Sequence, residues 1–245
     1  MPILIGRLLI KAVQIALPLA FDRQYSFDNF FSEQSDFVSQ SLCSLIAGDG
    51  ESMIGLWGGV DSGKTHLVNA SAHFARQQAI SFQLYDGAEL VQDDPVIFED
   101  LASCHLLAVD NLDALCGHRG WEQRFYQIIN LCNSGELKLI FTTSDNPLKL
   151  HCELADFKSR LAWALLLQLP TTDETGLGDI IMFRAGLLGI DLSKEVIAYL
   201  LTHYSRRLSE QIRILRILDA ASLSAQKKIS VPMIKQTLAD GTVSG

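Results

Sequence analysis

Paired cysteines are missing from this chain. Its five cysteines (Cys43, Cys104, Cys116, Cys132 and Cys152) are widely spaced, odd in number and never form Cys-x-x-Cys. That excludes a disulfide framework and a cysteine-built zinc site, and it points to a reducing, cytoplasmic setting. The six histidines show no metal-ligand spacing either, so each reads as a satisfied or exposed ring. Excess positive charge is also absent: the formal net charge is −8, which excludes a protein that coats nucleic acid by charge alone. There is no internal repeat and no low-complexity block. Residues 1–20 are apolar, but Arg7 and Lys11 interrupt them and Pro18 breaks the uncharged stretch beyond Lys11, so the run is too short to span a bilayer and no membrane partner is expected. Basic residues ahead of an apolar stretch also suit a secretion signal, against which the cysteine usage weighs.

What is present is an ordinary globular composition. With 245 residues, 48% of them hydrophobic, the chain can bury one large domain and a small companion. Its charge is uneven. Asp86, Glu89, Asp93, Asp94, Glu99, Asp100, Asp110 and Asp113 crowd residues 86–113, where no Lys or Arg occurs, whereas residues 201–245 are net basic. Two solvated faces account for this, and a surface that steers a charged partner is the sharper alternative.

Apolar runs of strand length alternate with helix-period segments. Met53–Trp57, Ile80–Tyr85, Leu106–Val109, Leu137–Thr143 and Leu165–Leu169 read as strands, with helices over Thr65–Gln78, Trp121–Asn133 and Asp156–Trp163. Continuous apolar strands separated by helices imply an α/β fold with a parallel five-stranded sheet covered on both faces. After Pro170 only helices are expected, over Asp173–Leu188, Ser193–Tyr204, Ser205–Ala225 and Val231–Leu238. The organisation expected is therefore an N-terminal extension (1–24), a nucleotide-binding domain (25–170) and a small α-helical lid domain (171–245).

Gly58-Gly59-Val60-Asp61-Ser62-Gly63-Lys64-Thr65 satisfies G-x-x-x-x-G-K-[ST] at every defined position, between a predicted strand and a predicted helix that continues through His66. Glycines let backbone N–H groups curl around phosphates, and the helix N-terminus adds its positive end. Lys64 brings a charge to the β- and γ-phosphates, and Thr65 offers a hydroxyl to Mg²⁺. Leu106-Leu107-Ala108-Val109-Asp110 then delivers a second Mg²⁺-holding acid to the C-terminal edge of a buried strand, where open α/β sheets bind ligands. Asn111 follows, where many such ATPases carry an acid that polarises the attacking water, and an amide cannot serve as a base. Asp113 could substitute only if the chain curled back. Nucleotide binding with weak intrinsic hydrolysis is expected.

These motifs resemble those of the DnaA-related AAA+ family, and of its regulatory branch in particular, from about Gln14 to Leu238. Tyr25-Ser26-Phe27-Asp28-Asn29-Phe30 resembles the lead-in segment that lies beside the adenine, and Val109-Asp110-Asn111-Leu112-Asp113 is similar to the regulators' Mg²⁺ strand, Asn included. Thr143-Ser144-Asp145-Asn146-Pro147 looks like the sensor after the fourth strand, which makes Asp145 a nucleotide-facing candidate. Phe157-Lys158-Ser159-Arg160-Leu161-Ala162-Trp163 resembles the segment that carries the arginine finger. By itself Arg160 reads as a surface cation worth well under ~1 kcal/mol; the resemblance implies instead that it reaches a neighbouring subunit's nucleotide. Likewise it implies a lid sensor at the start of the Ser205 helix, where Arg206 matches best and Arg207 is adjacent.

Gln14-Ile15-Ala16-Leu17-Pro18-Leu19 resembles the regulators' sliding-clamp-binding peptide, with Gln14, Leu17 and Leu19 filling an apolar groove. Within the 245 residues there is no counterpart of the DNA-reading domain that follows the initiator's lid, so DNA is expected to be met only through the clamp. The resemblance implies a negative regulator of replication initiation that binds ADP or ATP with Mg²⁺, docks on the clamp and stimulates hydrolysis of ATP held by the DnaA initiator. The alternative is a self-contained AAA+ ATPase such as a helicase loader, which would form homo-oligomers.

Overall fold

The central strands are buried along nearly their whole length, and successive residues enter opposite layers of the core. The computed structural model describes residues 25–30, 35–98, 101, 103–170 and 174–239; the clamp-peptide residues Gln14, Leu17 and Leu19 lie outside them. Five parallel strands, β1 (Met53–Trp57), β2 (Phe82–Asp86), β3 (Leu106–Asp110), β4 (Lys138–Thr143) and β5 (Leu165–Gln168), form one sheet in the order β2-β3-β4-β1-β5. On β3, Leu106 and Ala108 enter one apolar cluster and Leu107 and Val109 the other. The sheet is thus buried on both faces, as its uninterrupted apolar strands require.

Helices α1 (Ser35–Ala47) and α2 (Lys64–Gln77) close one face. Helix α4 (Arg119–Asn133) and the shorter α5 (Ala155–Leu161) close the other, and α3 (Gly87–Leu90) is a single turn capped by the Asp86 carboxylate, which accepts from Ala88 N at 2.9 Å. Helix α1 was not among the predicted elements, although Val38, Leu42, Leu45 and Ile46 bury one helical stripe.

The chain then forms an all-helical unit with its own core: α6 (Glu174–Leu187), α7 (Lys194–His203), α8 (Leu208–Ala225) and α9 (Val231–Ala239). Ser193 caps α7 by accepting from Val196 N. Ser205 does not start α8. Its hydroxyl accepts from Arg207 N in a local turn, and the helix begins at Leu208. The core face of α8 is Gln211, Ile214, Leu215 and Leu218. Helix α5 ends at Leu161, two residues short of the expected Trp163, which is 54% exposed. Among the described residues no helix is long and apolar enough to cross a membrane.

Candidate nucleotide site

The sheet order explains where the chemistry converges. Strand β4 lies between β1 and β3, so the loop that leaves β1 and the acid that ends β3 meet across the end of β4. The loop is Gly58–Gly63, running into α2. Gly63 takes a left-handed conformation (φ 91°) against the Phe30 ring, which only glycine adopts without strain. A Cβ at Gly58 would lie 2.5 Å from the Leu169 carbonyl oxygen, so the loop hugs the sheet edge only because no side chain stands there.

Lys64 donates its ammonium to the Gly58 and Gly59 carbonyls at 2.6 and 2.8 Å, which holds the charge inside the curve of the loop. Burial lowers its pKa from the ordinary lysine value, and the nearby Asp110, Asp113 and Asp61 carboxylates oppose that shift. Thr65 donates its hydroxyl to Asp110 Oδ2 at 2.6 Å, and Thr142 donates to Asp110 Oδ1 at 2.5 Å. Asp110 is nearly buried, with both oxygens engaged. A hydroxyl and a carboxylate in contact beside an anion-binding loop are hard oxygen donors of the kind Mg²⁺ selects, so the residues fit that ion.

Asn111 sits in the left-handed region (φ 54°) and turns away from this pair. Its N–H donates to Thr142 Oγ1 at 2.9 Å, and its Nδ2 donates to Asp86 Oδ1 at 3.0 Å. The turn it makes curls the chain back, as the Asp113 alternative required. Asp113 accepts from Ser144 N at 3.0 Å and lies close enough to Lys64 to act on its charge. Thr142 and Asp86 were not singled out in the sequence. Thr142 is recognisable only once β4 is known to run beside β3.

The remaining site residues divide. Val60 projects into solvent, and Ser62 is buried beneath the loop. Asp145 is exposed above β4, where its carbonyl accepts from Thr143 Oγ1 at 2.6 Å. Arg206 is exposed and donates from Nε to the Leu201 carbonyl of its own lid at 3.3 Å. Among the described residues the lid also meets the nucleotide-binding domain at Asp61 and at His66. Asp61 Oδ2 accepts from Leu208 N at 3.2 Å at the start of α8, and Arg184 of α6 lies 3.1 Å from His66 Nδ1. Arg160 stands apart from its own chain's loop. It lies in the last turn of α5, donates to Tyr126 OH at 2.8 Å and to Asn130 Oδ1, and stacks over the Tyr126 and Trp163 rings.

His66 links three segments. With Nδ1 accepting from Arg184, Nε2 carries the hydrogen donated to the Ser26 carbonyl at 2.9 Å, while Tyr25 and Phe30 pack against the ring. Burial, and next the Arg184 charge, hold its pKa down to about 4 against the opposing Ser26 bond. The ordinary value is about 6.5, so between pH 6.5 and 4 the unfolded chain binds a proton that the folded chain refuses. Stability is therefore full above that window and falls as pH drops through it. We expect the nucleotide-free protein to lose on the order of 2 kcal/mol from this group between pH 7 and pH 5. Urea unfolding at both pH values should show a smaller loss in His66→Gln, and an equal loss in both proteins would remove the assignment.

A P-loop after β1, which lies between β4 and β5 in a 2-3-4-1-5 parallel sheet, an acid at the end of β3 and a helical lid together define an AAA+ domain. Residues 21–168 match the family described as the bacterial DnaA ATPase domain, and residues 174–238 match the one described as the Hda lid domain. The chain belongs to the bacterial DnaA ATPase-domain family, with a lid of the Hda kind. Among solved structures it is similar to domain III of the Thermotoga maritima replication initiation protein DnaA (19% identity, 90% of this chain and 98% of that one, TM-score 0.70). It is also similar to AMPPCP-bound DnaA from Aquifex aeolicus (20% identity, 89% and 70% covered, TM-score 0.70). The Thermotoga maritima RuvB Holliday junction branch migration motor shares the fold as well (18% identity, 91% and 74% covered, TM-score 0.64).

Proposed function

We propose that this protein is a nucleotide-holding negative regulator of DnaA-dependent replication initiation that acts on ATP bound by its partner. The observation that carries the reading is Asn111. The chain has the parts that grip a nucleotide, yet at the position next to Asp110 it has an amide that is tied to Asp86. A domain of that kind holds ADP or ATP rather than turning it over. The matched Hda lid supports a regulator within the DnaA family.

In this reading the loop N–H groups and Lys64 bind the β-phosphate and, in ATP, the γ-phosphate. Thr65 and Asp110 hold Mg²⁺, which neutralises phosphate charge when bound. Tyr25–Phe30 lies beside the base, and Asp145, with Arg206 of the lid, senses the phosphates from either side. Gln14, Leu17 and Leu19 dock on the sliding clamp, so that DNA is reached through the clamp. Arg160 then enters the partner's site, where a guanidinium offsets charge spreading over the transferred phosphoryl oxygens.

The test is hydrolysis of ATP pre-bound to DnaA in the presence of clamp-loaded DNA. Stimulation by the nucleotide-bound protein is expected, and Gln14→Ala with Leu19→Ala should abolish both clamp retention and stimulation while nucleotide affinity stays constant. Clamp binding that survives the double substitution would remove the peptide from the mechanism.

A second reading has one observation in its favour: Asp113 does curl back toward Lys64. A self-contained ATPase using that carboxylate would turn over ATP alone, faster with DNA and as a homo-oligomer. Steady turnover by the purified protein without DnaA, lost in Asp113→Asn, would replace the first reading with this one.

A further inference from the structure

Cys116 closes the 3-10 turn Leu112–Leu115 that comes after Asn111, and Cys152 lies in the segment that leads into α5. Nothing in their spacing brings them together; Glu122 does. This side chain in the first turn of α4 is fully buried and accepts three backbone hydrogen bonds, from Gly117 N at 2.8 Å, Glu153 N at 3.0 Å and Leu154 N at 2.7 Å. One carboxylate therefore grips the residue after Cys116 and the two residues after Cys152. Gly117 N and Glu153 N donate to the same oxygen, Glu122 Oε1, which sets Cys116 and Cys152, one residue before each, side by side, and the Cys116 Sγ also lies 3.9 Å from the Leu112 carbonyl. Both are half-buried, whereas Cys104 and Cys132 are buried, and both remain free thiols. Among the described residues no cluster of three metal-binding side chains includes them. Two thiols in contact, on loops pinned from behind by a shared carboxylate and within reach of small solutes, are arranged for exchange of electrons with an oxidant.

We propose that Cys116 and Cys152 form a reversible redox pair that closes into an intramolecular disulfide when the chain meets a peroxide. Cys152 is the attacking sulfur. The hydrogen bond from Cys116 lowers its pKa, with Lys158 adding to the effect against burial and the Glu122 charge, and the same hydrogen bond raises that of Cys116. The Cys152 thiolate attacks one peroxide oxygen, the O–O bond breaks, and sulfenic acid and hydroxide form, the hydroxide becoming water with the proton that the Cys152 thiol had released. Cys116 sulfur then attacks the oxidised sulfur, the S–S bond forms, the S–O bond breaks, and hydroxide leaves as water with the thiol proton. Overall two thiols and one hydrogen peroxide give one disulfide and two waters. A dithiol reductant reverses the step and is itself oxidised to a disulfide. The bond would join the loop that bears Asp110, Asn111 and Asp113 to the segment that leads to Arg160.

The full-length chain is treated with hydrogen peroxide, its remaining thiols are alkylated, and intact and peptide masses are measured. We expect two of the five cysteines to escape alkylation, one peptide pair linked through Cys116 and Cys152, and complete reversal by dithiothreitol. Cys116→Ser should halt at a sulfenic acid on Cys152 that a cyclic 1,3-diketone traps, and Cys152→Ser should slow thiol loss by roughly 10-fold or more. Five alkylatable thiols after treatment, a link through any other cysteine, or a link between two chains would each overturn the proposal.

Discussion

Arg160→Ala is expected to reduce stimulation of DnaA-bound ATP hydrolysis by about 10³-fold or more, the scale on which a guanidinium supplied in trans acts in phosphoryl transfer. The argument starts from where the residue sits. Arg160 lies in the last turn of α5, which packs on the sheet face opposite α2, the helix that follows the P-loop. It is held by bonds to Tyr126 and Asn130 and by the faces of Tyr126 and Trp163, at 4.1 and 4.7 Å. Stacking at such exposed sites contributes ~0.5–1 kcal/mol, little enough for a γ-phosphate to draw the side chain away. The aromatic pair therefore holds the guanidinium at the surface of the domain, with Trp163 open to solvent. The substitution should leave the affinity of the chain for its own nucleotide unchanged, which separates a lost finger from a damaged fold. Equal stimulation by the variant and the parent protein would return Arg160 to the role of a surface cation.

Lys64→Ala should weaken ADP and ATP binding by roughly 10- to 150-fold in Kd, the range expected when one hydrogen bond to a charged group, worth ~1.5–3 kcal/mol, is removed. The ammonium donates to the carbonyls of Gly58 and Gly59. Those acceptors are neutral, so a phosphate oxygen that enters the same curve offers the stronger bond. Because Lys64 is partly buried at a cost, as its lowered pKa records, its removal should leave the unfolding midpoint near that of the parent. Titration with a fluorescent ADP and Mg²⁺ reads the first effect and a thermal scan the second. Unchanged affinity would mean that the loop amides do the binding without the lysine.

The P-loop was legible because its residues are adjacent in sequence and each does a local job. The strand Met53–Trp57 and the helix after Gly63 fell where hydrophobic pattern and glycine placed them. Burial against a parallel neighbour extended β3 to Asp110 itself. Ser205 misled because a serine ahead of an apolar run is an equally good turn-former, and here its hydroxyl serves Arg207 N instead. The contacts that sequence could not offer are those between distant elements. Thr142 reaches Asp110 only through strand order, and Arg184 of the lid meets His66 across 118 positions. The Cys116–Cys152 contact depends on a buried Glu122 that reads, in the sequence, as one more helix-surface acid.

The bond between Asp61 and the first amide of α8 has a thermodynamic meaning beyond its modest strength. It joins the Gly58–Gly63 loop to the first turn of the lid helix α8, so a change at one end of the bond is felt at the other. Linkage then works in both directions: if bound phosphate changes the affinity of a lid-binding protein by some factor, that protein changes phosphate affinity by the same factor. A partner that docks on α8 or α9 would thus be felt as a change in nucleotide release, without touching the loop at all.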